Sequence, residues 1–79
     1  MLNLHRLFLL HELRRLETMT AVASAHSMSP SAVSQQLSQL ERETNVSLFQ
    51  QAARRVVLTD PGVQLAPRAE VVLGLQDAA

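Results

Sequence analysis

At 79 residues the chain is one small domain or a piece of a longer protein, and a chain this short buries only a modest core. It has no cysteine and no lysine, and seven arginines balance seven acidic residues, which excludes disulfides, thiolate metal sites and attraction to nucleic acid through bulk charge. The leucine-rich start is interrupted by Arg6, His11, Glu12, Arg14 and Arg15 and lacks a small-residue cleavage site, so neither a membrane span nor a signal peptide is expected.

Asn3 is placed to cap a first helix running to about Leu16, in which Leu4, Leu7, Leu10 and Leu13 recur every three residues and Leu9 and Leu16 widen the stripe. Phe8 projects to the other side with His11, Glu12 and Arg15, leaving an apolar ring near the surface for a partner helix to cover. Thr18 is the expected cap of a short second helix, Met19 to about Ala25, whose Ala21, Val22 and Ala25 allow close helix–helix approach. After a break from His26 to Met28, Ser29 offers a capping hydroxyl, and Pro30 lacks the N–H that a first helical position does not need. A third helix is therefore expected from Pro30.

Within that helix Val33, Leu37 and Leu40 form a narrow apolar stripe, and Ser31, Ser34, Gln35, Ser38 and Arg42 lie opposite. Short hydroxyls and amides suit base edges and phosphate oxygens in a DNA major groove. Two helices joined by so short a turn form a helix-turn-helix unit with the second as reader. Taken alone, the segment also fits a solvated helix with a Ser/Gln-rich face. Asn45 tolerates the left-handed conformation and can end the helix.

Val46 to Gln51 and Arg54 to Thr59 read as a small hairpin separated by Ala52 and Ala53, neither of which takes positive φ cheaply, so a longer or mobile tip is expected. Arg54 and Arg55 sit at that tip, where they would reach phosphates or a minor groove; a solvated Arg pair is the alternative. Thr59-Asp60-Pro61-Gly62 resembles a helix start. In the helix that follows, Leu65, Ala69, Val72 and Leu73 form one stripe and Val71 and Leu75 another near Arg68, which implies one packing partner inside the domain and one outside it. Pro67 is expected to bend this helix and Gly74 to weaken its end. Phe8, Val71 and Leu75 are the candidate dimer contacts.

Several of these pieces stand in one order: the spaced Leu4, Leu7 and Leu10, the segment Thr18 to Ala25, the string Ser-Pro-Ser-Ala-Val-Ser-Gln-Gln-Leu from Ser29, Leu-Glu-Arg-Glu from Leu40, Leu48-Phe49, Arg54-Arg55-Val56-Val57-Leu58-Thr59, and Gly62. Together they resemble the amino-terminal DNA-binding domain of a LysR-type bacterial transcriptional regulator over essentially the whole chain. The resemblance implies a mainly α winged helix-turn-helix, three helices plus a two-stranded β wing, over residues 1–59. The start of a linker helix that pairs two subunits would occupy 60–79, and an effector-binding domain absent here would follow.

Carried over by position, the family's roles put Pro30, Ser31, Ser34 and Gln35 in the major groove and Arg54 or Arg55 at the wing. With the residues' own geometry, the candidate DNA-binding set is Ser29, Pro30, Ser31, Ser34, Gln35, Ser38, Arg42, Arg54 and Arg55. The implied partners are pseudo-palindromic double-stranded operator DNA and a second copy of the chain, with a tetramer open to the full-length protein. A small-molecule effector would act only through the absent domain. No catalytic group, cofactor, metal or membrane is expected, and the location would be cytoplasmic and nucleoid-associated.

Departures from the family pattern are informative. Relatives usually carry Gly where this chain has Glu17, Asn45 and Ala53, so Glu17 and Ala53 are expected to hold strain of about 1 kcal/mol each. Gln35 stands where Arg is frequent, which would shift preference from guanine toward adenine. Gln51 replaces an Arg, removing an expected phosphate contact, and His26 replaces an apolar residue. His5, His11 and His26 have no cysteine or close carboxylate at ligand spacing, so His26 is read as a satisfied helix-end histidine. Two other readings stay open: a winged helix of another regulator family, and a winged helix used for protein–protein contact without DNA. An enzyme would need a nucleophile–base pair, a phosphate loop or clustered carboxylates, none of which the sequence offers.

Overall fold

A computed structural model describes the backbone over residues 3–73 and the side chains over residues 3–66. The elements run α1 (Leu4–Leu16), α2 (Met19–Ala25), α3 (Pro30–Thr44), β1 (Phe49–Ala52), β2 (Arg55–Leu58) and α4 (Asp60–Leu73). The three expected caps are used: the side chains of Asn3, Thr18 and Ser29 accept the N–H groups of Arg6, Ala21 and Ala32. Each satisfies a donor that an α-helix leaves open in its first turn.

Leu9, Leu10 and Leu13 of α1, Val22 of α2, Val33, Leu37 and Leu40 of α3, and Leu48 are fully enclosed. Burial of a leucine side chain contributes about 1.5–3 kcal/mol, so the α1 leucines are the largest block of stabilisation. α1 is the central element, packed on α2, α3, β2 and, most extensively, α4, where Ala66 is buried and Leu65 partly so. α4 runs on through Pro67 to Leu73; the side chains of Ala69, Val71, Val72 and Leu73, and all of Leu75, lie outside the described residues.

Two positions on α1 differ from the expected pattern. Leu4, in the first turn, is half exposed, and Glu12 is buried at 6% exposure. For Glu12 the cause lies in the turn after α2, which brings His26 across the side of α1 that the sequence suggested was open. His26 Nε2 lies 3.0 Å from Glu12 Oε1. Phe8 packs edge-on against the His26 ring, with centroids 5.0 Å apart, and stacks on His11. The Phe8 ring is therefore half-buried within the domain.

β1 and β2 pair antiparallel from Phe49↔Leu58 to Ala52↔Arg55. Only Ala53 and Arg54 remain for the turn, which corrects the expectation of a longer tip and places Arg55 in the strand. Ala53 adopts φ 56°, and the Gln51 side-chain amide donates to its carbonyl at 3.1 Å. A ladder paired to its last residue, with that brace, holds the alanine where glycine would be at ease.

All three positions flagged for missing glycine have positive φ: Glu17 (71°), Asn45 (59°) and Ala53. Ser27 (54°) is a fourth that the sequence reading missed. It lies in the turn between α2 and α3, where the N–H of Met28 reaches back to the Ala23 carbonyl and closes the Schellman pattern of a helix end. Gly62 serves another purpose: a Cβ there would land on the carbonyl oxygen of Leu48.

Candidate nucleic-acid interface

α3 is fixed at both ends and along its buried stripe. Ser29 caps the start with Pro30 in the first turn, and Asn45 in left-handed conformation donates its N–H to the Glu41 carbonyl. The Glu41 carboxylate accepts the N–H of Leu48, tying the helix end to the strand that follows. From α1, Arg6 donates Nε to Gln36 Oε1 at 2.8 Å and Nη1 to Glu43 Oε2 at 2.7 Å. Gln36 and Glu43 are thereby used within the domain.

The remaining polar residues of α3 face outward. Ser29, Pro30, Ser31, Gln35 and Arg42 are exposed, and Ser34 and Ser38 are partly exposed. At 100° per residue Ser31, Ser34, Gln35, Ser38 and Arg42 share an arc of about 100°. Arg42 is turned along the helix, donating Nε and Nη2 to Gln39 Oε1.

The wing has supports of its own. The N–H of Val56 donates to the Glu17 carbonyl at 2.7 Å, and the N–H of Thr59 donates to the Leu48 carbonyl at 3.0 Å. The Thr59 hydroxyl donates to Ser47 O and accepts from Gly62 N, so one side chain both closes the wing and starts α4. Arg54, in the turn, has no ion pair among the described residues, whereas Arg55 lies 3.5 Å from the Glu17 carboxylate. The two arginines that sequence treats as equivalent are thus in different situations.

Beneath the turn of the helix-turn-helix unit, Arg15 holds Glu12 with two hydrogen bonds, Nε to Oε2 at 2.8 Å and Nη2 to Oε1 at 2.9 Å. That guanidinium keeps the Glu12 carboxyl below the usual carboxylate range against burial, which pushes it up; His26 adds to the lowering. His26 is the helix-end residue of α2, as expected, but its carboxylate partner comes from another helix, fourteen residues away and invisible to local spacing. Among the described residues no three metal-ligating side chains are grouped, and no helix is long and apolar enough to cross a membrane.

A sequence profile of the bacterial regulatory helix-turn-helix proteins of the lysR family matches residues 4–63. This chain belongs to the lysR family. It is 36% identical over 78 residues to the HTH-type transcriptional regulator PtxR of Pseudomonas aeruginosa, an alignment covering 99% of this chain and 25% of PtxR. The chain therefore spans about a quarter of that relative's length. Among solved structures, the full-length lysR-type regulator LysG of Corynebacterium glutamicum superposes with a TM-score of 0.86 at 28% identity, covering 96% of this chain and 26% of LysG. The DNA-binding domain of BenM, solved with benA site 1 DNA, gives a TM-score of 0.86 at 22% identity, covering 96% of this chain and 88% of that one, a likeness of fold. The described fold is accordingly the winged helix-turn-helix of this lysR-family domain.

Proposed function

We propose that this lysR-family chain binds operator DNA sequence-specifically for a bacterial transcriptional regulator, reading bases with α3 and holding phosphates with the wing. The observation that carries this reading is the outward face of α3, where the side chains of Ser34, Gln35 and Ser38 make no hydrogen bond among the described residues, while Gln36, Glu41 and Glu43 on the same helix are tied into the domain. Eleven residues separate Ser31 from Arg42, about 16 Å along a helix, which exceeds the roughly 12 Å width of a major groove. Ser31, Ser34 and Gln35 would lie inside it and Arg42 at the flanking phosphates, with Ser29 and Pro30 at the entry and Ser38 between. Gln35 suits bidentate pairing with adenine.

Because the domain is neutral overall and α3 carries no cation before Arg42, affinity for one half-site should be low. A homodimer on a pseudo-palindromic site would supply the rest, with α4, Val71, Leu75 and Phe8 as the candidate contacts. The Phe8 ring, half-buried beside His26 and His11, offers only part of its surface for that role. The protein would act in the cytoplasm, at the nucleoid, as a regulator without catalytic activity. An effector would bind a separate domain.

The test is enrichment of duplexes from a randomised pool, followed by anisotropy titration of the enriched duplex against a scrambled one at two salt concentrations. The proposal expects discrimination between the two that persists as salt rises and weakens both. Equal binding to both duplexes would reject sequence-specific reading, and no binding at low salt would return the protein–protein reading to first place.

A further inference from the structure

The arginines of this chain are unusually committed. Arg6 is held by Gln36 and Glu43, Arg15 by Glu12, Arg42 by Gln39 and Arg55 by Glu17. The ties of Arg6 and Arg15 hold helices within the domain. Those of Arg42 and Arg55 lie at the proposed DNA surface, and only Arg55 is paired there with a carboxylate.

Glu17 ends α1 in the left-handed conformation, with φ 71° and its N–H donated to Leu13 O. Its carbonyl accepts the N–H of Val56, so the α1–α2 corner extends the wing's hydrogen bonding by one further contact. Its carboxylate faces the Arg55 guanidinium at 3.5 Å, and both side chains are more than half exposed, at 55% and 60%. The next residue, Thr18, caps α2, the first helix of the helix-turn-helix pair. In such units that first helix crosses the DNA backbone while the second enters the groove. A carboxylate here stands between two places where phosphates approach, the start of α2 and the wing.

We infer that Glu17 is a positioning residue that limits affinity, holding Arg55 on the α1–α2 corner and away from the phosphodiester backbone of duplex DNA. This rests on the reading of the wing given above. The backbone bond to Val56 needs no particular side chain, so position 17 could hold the wing equally well with an uncharged residue. The carboxylate adds a neutralising partner for Arg55 and a negative charge facing DNA. An exposed pair at this distance is weak, and phosphates compete with it, so the brake is graded. Arg54 is left as the wing's unrestrained cation.

The experiment uses the full chain and a duplex enriched from a randomised pool, with Kd measured by anisotropy from about 50 to 200 mM salt, where phosphate contacts dominate the slope. Glu17→Gln keeps the side-chain size and removes the charge. It should lower Kd several-fold and steepen the dependence of log K on log salt by about 0.9, the value of one phosphate contact. In an Arg55→Ala background the same substitution should have much less effect. Arg55→Ala alone should flatten the slope less than Arg54→Ala. Glu17→Gly also relieves the left-handed backbone and should give the same tightening with no loss of thermal stability, which separates the charge effect from misfolding. An unchanged slope for both position-17 variants would overturn the inference. So would an Arg55→Ala slope as flat as that of Arg54→Ala, since Arg55 would then already sit on phosphate. If Arg54→Ala leaves the slope untouched, the reading of the wing itself has failed and this inference falls with it.

Discussion

α3 and the wing are built on opposite principles. α3 is capped at both ends, and its one left-handed residue is Asn45, which takes that conformation at little cost. It is fixed to α1 by Arg6 and to β1 by Glu41, and it presents a face nearly free of charge. The wing has two four-residue strands, an alanine forced into positive φ at its tip, and two arginines. Rigidity suits the proposed reading of base edges, which requires register to within a hydrogen bond. Long cationic side chains on a small hairpin suit the element that meets a backbone of uniform charge. The division also explains how a neutral chain can serve as a DNA-binding domain: its charges are sorted by place.

Perturbing the wing's root should have the largest effect. Gly62→Ala puts a methyl group against the Leu48 carbonyl, which also accepts the N–H of Thr59, so about 3 kcal/mol of stability should be lost. Urea denaturation measures it, and a loss below about 0.5 kcal/mol would mean that α4 and the wing are not in the close contact described.

Next is the support beneath the reader. Glu12→Gln should cost about 1–2 kcal/mol at neutral pH, because the carboxylate holds Arg15 and His26 together. Since the folded-state pKa of Glu12 is depressed, its contribution is present above the ordinary value near 4.5 and is lost as pH falls through the folded value. The stability gap between wild type and variant should therefore narrow on acidification, and a gap independent of pH would contradict the assignment. The smallest effect belongs to the wing tip. Ala53→Gly removes the left-handed penalty and should raise stability by about 1 kcal/mol, whereas a decrease would indicate that the ladder and Gln51 do not hold the turn as described.

Much of the domain is legible in sequence because it rests on local chemistry. Asn3, Thr18 and Ser29 announce their helices, the 33–37–40 stripe announces the buried side of α3, and comparison with a familiar pattern identifies the positive-φ positions Glu17, Asn45 and Ala53. What escapes is non-local. Nothing near Glu12 announces that His26 will fold over it, so a charged residue at an outward helical position is buried with partners from its own helix and from the next turn. Ser27 has no composition cue for positive φ; only the closing hydrogen bond to Ala23 reveals it. The hairpin tip is tighter than its alanines suggest because the ladder overrides alanine's intrinsic cost of positive φ. On α3 the sequence separates the outward residues from the buried stripe, but it cannot separate Arg54 from Arg55, since that difference depends on where Glu17 stands in space.

The central claim is that α3 specifies sequence and the wing supplies grip. It is tested most directly by profiling Gln35→Ala and Arg54→Ala against a randomised operator library beside the wild type. Gln35→Ala should relax preference at one base pair by about 1–3 kcal/mol, while Arg54→Ala should weaken all sequences alike and flatten the salt dependence. An unchanged base preference for Gln35→Ala, or an Arg54→Ala effect confined to a single operator position, would contradict it.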